Sequence, residues 1–235
     1  IGIMWIDKLR KRIISRLKRD YRKLTNPYLA PYRLKKLQKQ GIATDFSIIS
    51  NNCWAGFVYQ HYGLQYLTPT VGLFFFAKDY IKFLYDINSY LNAKLEFITL
   101  ENSRYAETLK AYGGECVRCP IARCLDIEII FMHYHSCEEA EKKWRRRISR
   151  INWNNVIYKF SEMNGCTLED LKAFDALPVK NKVMFTHKDY GFLSQCVYSE
   201  FAKEGSVPND TDDFNKYIDL SILLRGAYKY NGSQN

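Results

Sequence analysis

The 235-residue chain has no glycine-rich phosphate loop and no GK[ST] signature, so the familiar nucleotide-binding folds are not indicated. Its longest strongly apolar stretch, VGLFFFA at 71–77, is far too short to cross a bilayer. Charge interrupts the N-terminal segment from Asp7 onward, which removes the unbroken apolar run of a secretory leader. Prolines number only six, and neither an internal repeat nor a low-complexity tract is present, which argues for a globular chain. Acidic residues are scarce in one region: residues 1–44 hold 13 Lys and Arg against Asp7 and Asp20, a net +11. The rest of the chain is balanced, so the overall charge of +10 belongs to the N-terminal arm. A neutral body argues against a general affinity for nucleic acid.

Seven cysteines without a leader point to a cytoplasmic protein with reduced thiols. Aromatics are abundant at 15%, which fits a well-packed core and also suits stacking on sugars or bases. In the arm, Ile6, Leu9, Ile13, Leu17, Tyr21 and Leu24 recur at helical spacing, with Lys and Arg opposite. Pro27 and Pro31 are expected to break the helix and Gly41 to close a second short one. Such an arm, residues 1–42, suits either an anionic membrane surface, contacted peripherally through residues 1–24, or docking on its own domain or a partner subunit.

From residue 43 to about 230 the pattern is that of a single α/β domain. Strands are expected at 46–50, at 72–76, in LEFITL, in DIEIIFMHY, in NNVIYKF, in KVMFT and in QCVYSEF. Helices are expected at 53–62, 78–91, 137–151 and 168–177, with a helical tail at 212–225 and a frayed NGSQN end. Residues 101–123 read as irregular. Ser136 and Glu139 form a capping box for the helix they open. The fold class is therefore a layered α/β domain with a mixed, mainly parallel sheet flanked by helices, plus the basic helical arm.

Parallel sheets bind ligands beyond the carboxyl ends of their strands. Those ends carry Asn51, Asn52 and Cys53, then Asp79, then His133 and His135, and then His187 and Lys188. The expectation is one cleft with His133, His135, His187 and Cys53 as candidate catalytic groups and Asn51, Asn52, Asp79 and Lys188 as ligand contacts. A histidine suits general-base work, and a cysteine at a helix start can be a thiolate nucleophile. The helix start after Asn51 favours an anionic ligand, while Asn51 or Asn52 also suits a helix cap. The segment CVRCPIARC carries Cys116, Cys119 and Cys124, but a second CxxC or HxxxH is missing, so no metal and no cofactor are expected. The run WRRR at 144–147 suits either a phosphate clamp or a solvated helix end.

Four stretches together, FSIISNNCWAG, PTVGLFF, DIEIIFMHYHSCEEAEKKWRRRISRIN and FDALPVKNKVMFTHKDY, resemble a bacterial family defined as domain of unknown function 1919 and often labelled an exopolysaccharide biosynthesis protein. The resemblance spans about residues 43–225. It implies an α/β domain in a surface-polysaccharide setting and transfers no catalytic residue. Two functions are then expected. One is a cytoplasmic transferase acting on a sugar, sugar phosphate or lipid-linked glycan at the inner membrane face. The other is a non-catalytic binding or assembly module of the same machinery.

Overall fold

In the computed structural model the strands separate into two four-stranded sheets, one wholly parallel and one wholly antiparallel. The structure describes residues 2–198, 205–211 and 214–225. Helix α1 (Gly2–Lys39) leads to β1 (Ser47–Ser50), α2 (Trp54–Tyr62), β2 (Phe74–Phe75), α3 (Ala77–Tyr85), α4 (Ile87–Asn92) and β3 (Glu96–Ile98). Then come α5 (Ala106–Tyr112), β4 (Ile121–Cys124), β5 (Ile127–Ile130), α6 (Cys137–Ile148), β6 (Val156–Ser161) and α7 (Leu168–Asp175). Strands β7 (Lys182–Thr186) and β8 (Gln195–Val197) and the short α8 (Phe214–Tyr217) and α9 (Leu220–Leu224) complete the described elements.

The parallel sheet has the order β1-β6-β7-β8, and the antiparallel sheet the order β2-β5-β4-β3. Alternation decides what each strand faces. Ile49, Phe160 and Met184 turn toward a core shared with α3, α6, α7 and the antiparallel sheet. Ile48, Ile157, Val183 and Phe185 turn to a second core under α2 and the C-terminal part of α1. With helices on both faces, the parallel strands are buried almost throughout, as such sheets require. The expected single mixed sheet is thus two sheets. They meet at Asn51, whose carbonyl accepts the Phe75 N–H at 3.0 Å.

Several local expectations change. Helix α1 runs unbroken through Pro27 and Pro31. A proline removes one backbone donor, and packing of Ala30 and Leu37 into the second core outweighs that loss. The expected 78–91 helix is two, parted at Asp86, whose backbone is not helical. The supposedly irregular 101–123 segment contains α5 and β4, the latter pairing with β5 across a two-residue turn in which Leu125 adopts φ 53°. Ser136 caps α6 by accepting the Glu139 N–H at 3.1 Å, while the Glu139 carboxylate accepts the His135 N–H at 2.9 Å. Residues 199–201 of the expected QCVYSEF strand, residues 212 and 213 of the tail and the NGSQN end lie outside the described residues.

Candidate functional site

The loop from β1 into α2 is where the two adjacent asparagines separate in role. Asn51 is buried, and its side chain brackets the backbone of Ser161: the amide donates to the Ser161 carbonyl and the Oδ1 accepts the Ser161 N–H, both at 3.0 Å. It is a clamp between β1 and β6 and has no open polar atom for a ligand. Asn52 Oδ1 accepts the Trp54 N–H at 3.2 Å, which caps the start of α2. The same oxygen accepts from Lys159 Nζ at 3.0 Å, and Asn52 Nδ2 donates to both oxygens of Asp210.

Lys159, on β6, is the centre of this network and is fully buried. Its ammonium donates to Asn52, to Ser161 Oγ at 2.6 Å and to the Asp210 carboxylate, to which Ser161 Oγ also donates. The rings of Trp54 and Phe185 lie 5.7 and 5.3 Å from the ammonium. Burial pulls Lys159 below the usual lysine value, and Asp210 opposes that pull. Three acceptors meet three donor hydrogens, so the ion pair is satisfied and sealed. Lys159, Ser161 and Asp210 are absent from the sequence candidates. The signal was a lysine in VIYKFS, a strand otherwise apolar enough to be central.

Cys53 follows Asn52 and is partly buried. Burial first, and the nearby Asp210 second, push its thiol up to about 12. The Sγ–H donates to the Leu73 carbonyl at 3.7 Å. This is opposite to the lowered pKa of an activated nucleophile.

His133 lies at the junction of three cavities. It lines a cleft of about 790 Å³ between α1, α2 and α6, a smaller one of about 380 Å³ that also holds Asn52, Cys53 and Asp210, and a third of about 580 Å³ shared with His135. Its Nδ1–H donates to Glu115 at 2.9 Å. The close approach depends on Gly72 (φ 77°), whose carbonyl accepts the His133 N–H and where a Cβ would come within 3.1 Å of the Tyr134 ring. Strand β5 ends at Ile130, short of the expected DIEIIFMHY strand, so His133 stands on a turn and His135 on a bend.

The other candidates are not gathered here. His187 sits at the same carboxyl edge of the parallel sheet as Asn52, with β6 between, and donates through Nδ1 to Glu162 at 2.8 Å. Tyr190 donates to the other Glu162 oxygen, and Gly205 N–H reaches His187 Nε2 at 3.3 Å. Lys188 is exposed, its ammonium 5.1 Å from the Tyr190 ring. Asp79 lies in the first turn of α3 and faces the antiparallel sheet, where it accepts the Glu128 N–H of β5 at 2.9 Å beside Arg104. Burial raises its pKa. A single rim therefore joins Asn52, Cys53 and His133 but leaves out Asp79, Lys188 and His187.

The cleft of about 790 Å³ supplies what the candidates lacked. Arg19, Arg22 and Lys23 from α1 face Lys143 and Arg147 from α6, and none of the described residues that line it is a carboxylate, although Lys143 pairs with Glu139 at 2.5 Å and Arg22 donates to the Thr211 carbonyl. Arg147 is 6% exposed. One of its terminal nitrogens donates to the Tyr134 hydroxyl at 2.6 Å and to the Val71 carbonyl at 3.1 Å, while its Nε–H has no hydrogen-bond partner. The guanidinium carbon lies 5.1 Å from the Tyr66 ring, as Arg22 does from Phe57. A buried donor left without a hydrogen-bond partner is costly. Arg147 belongs to the WRRR run. Ala140, Trp144 and Arg147 share the buried face of α6, and that helical spacing was the signal separating Arg147 from its solvated neighbour Arg146.

Among the described residues no group of three or more His, Cys, Asp or Glu side chains is placed to hold a metal ion, and no helix is long and apolar enough to cross a membrane. The sequence pattern of a family described as "Domain of unknown function (DUF1919)" matches residues 23–221. An uncharacterized protein of Haemophilus influenzae is 34% identical over 174 residues, covering 74% of this chain and 75% of that protein.

Proposed function

The chain belongs to the DUF1919 family, and we propose that its cleft between α1, α2 and α6 binds the phosphate or diphosphate of an activated sugar for transfer within surface-polysaccharide assembly, on the cytoplasmic side. One observation carries this reading: the unpartnered Nε–H of buried Arg147 at the wall of a cleft whose described lining residues include five Lys and Arg and no carboxylate. A guanidinium with one terminal nitrogen committed to Tyr134 and Val71 is held in place, and its other terminal nitrogen is the group left to contact an anion. Phe57 and Tyr66 offer apolar faces for a sugar or base. Transfer moves the sugar carbon from the phosphate oxygen to an acceptor hydroxyl. The departing phosphate keeps its charge on Arg147, and the hydroxyl proton goes to His133, whose Nδ1 is held by Glu115.

The reading as a non-catalytic binding module is favoured by one feature, the burial that raises the Cys53 thiol pKa, which leaves His133 as the candidate base on this wall among the groups the sequence singled out. Calorimetric titration with UDP, glucose 1-phosphate and inorganic pyrophosphate tests both readings. Binding by at least one of them is expected, weakened about tenfold or more in Arg147→Met and in the surface variant Arg19→Ala. Binding indifferent to both substitutions overturns the cleft assignment. Binding without release of nucleoside diphosphate from a nucleotide sugar, in the presence of acceptor glycans, selects the module.

A further inference from the structure

Helix α1 has two faces with opposite fates. At about 100° per residue, Arg19, Asn26, Ala30 and Leu37 fall together and look into the cleft and the second core. On the opposite face Ile13, Leu17, Tyr21, Leu24, Tyr28 and Tyr32 follow one another at spacings of four, four, three, four and four. All six are between 50% and 83% exposed. They account for six of the fourteen large hydrophobic side chains that the described surface exposes, and they form one continuous line. An apolar stripe of that length on the outside of a protein marks an interaction surface.

Charge decides what covers it. The same line is continued by exposed Arg10 at one end and by exposed Lys35 and Lys39 at the other, and Arg16 and Lys36 flank it. Asp20 is the sole carboxylate between residues 8 and 44. A second copy of the helix would bring two strongly cationic surfaces together, which like charges oppose. An anionic bilayer accepts the apolar stripe between its headgroups and the flanking cations at its surface, where tyrosine rings also favour the interface. We propose that the outer face of α1, from Ile13 to Tyr32, is a membrane-surface helix that docks the protein on anionic lipid, its inner face remaining the wall of the cleft. This proposal does not depend on what the cleft binds.

Sedimentation of the full chain with vesicles tests it. Vesicles of phosphatidylcholine with about 30% phosphatidylglycerol are expected to bind the protein at least tenfold more tightly than pure phosphatidylcholine, and added salt is expected to weaken that binding. Leu17→Glu with Leu24→Glu is expected to reduce binding to the anionic vesicles about tenfold or more, with an unchanged circular dichroism spectrum and unchanged pyrophosphate binding. Tyr28→Trp supplies a readout that retains the stripe: its fluorescence is expected to shift to the blue on the anionic vesicles. Equal binding to neutral and anionic vesicles overturns the proposal, as does no binding to either. A dimer by light scattering that the glutamate pair converts to a monomer, without vesicle binding, overturns it in favour of a second copy.

Discussion

Lys159 and Arg147 are the two cationic side chains that the described part of the fold takes almost wholly out of water, and they are treated differently. Lys159 meets three acceptors, one of them a carboxylate as buried as itself, at the carboxyl edge of the parallel sheet. Arg147 meets a hydroxyl and a backbone carbonyl, no carboxylate among the described residues, and its buried Nε–H has no hydrogen-bond partner beside the cleft. Burial costs a charge several kcal/mol, so each arrangement says what the position is for. A complete partner set fastens chain to chain, here tying the 207–211 loop to β6 and β1. The incomplete set of Arg147, beside a cleft with no carboxylate among its described lining residues, is what the proposed anion would complete.

The comparison breaks most visibly at Asp210. Asp210→Ala leaves Lys159 charged and unmatched, and is expected to lower stability by about 3–5 kcal/mol in urea unfolding. The pair Lys159→Met with Asp210→Leu is expected to cost less than that single change, because no charge stays buried; a larger loss would show the ion pair to be worth more than its burial cost. Arg147→Met forfeits two hydrogen bonds, so a loss of about 1–3 kcal/mol is expected. Its stability should gain less from added pyrophosphate than that of the native protein, which thermal melts with and without the ligand can compare.

His61 extends the comparison to a group that burial keeps neutral. Burial chiefly, and Arg33 beside it, lower its pKa from 6.5 to about 4. A lowered folded-state pKa contributes stability above pH 6.5, and that stability is lost as pH falls from 6.5 through 4. Between pH 7 and pH 5 the native protein is expected to lose on the order of 1 kcal/mol more than His61→Gln, read from urea midpoints at the two pH values. The smallest effect belongs to Cys53→Ala, which removes only a long sulfur contact. Stability is expected to change by about 0.5 kcal/mol or less and pyrophosphate binding to stay as it was. Abolished binding would restore Cys53 to the site.

Much of the architecture was legible because local signals and tertiary packing agree. Apolar β-branched runs marked β1, β6 and β7, and Ser136 with Glu139 marked the start of α6. The family was legible too, from the long run through α6. Pairing direction was not. Nothing within DIEII states that β5 runs antiparallel to its neighbours, and this took Asp79 away from the parallel sheet's edge. The α1 stripe was visible as a period but not as an exposure, since packing alone decides which face of a helix meets the body. Lys159 and Arg147 were legible in principle from strand and helix spacing, yet both carry residue types that usually stay in water. The partner of Lys159 lies 51 positions away, at Asp210, and no local pattern links them.

The account rests on the open donor of Arg147, and the Nε–H resonance of that residue reports on it directly. In a ¹H–¹⁵N spectrum of the full chain, assigned by its loss in Arg147→Met, addition of pyrophosphate is expected to shift this resonance downfield and to slow its exchange with water, while the Nε–H resonances of Arg104 and Arg123 at the antiparallel sheet stay in place. An Arg147 resonance that does not move at ligand concentrations saturating the protein would contradict the account and return the cleft to an unoccupied feature of the fold.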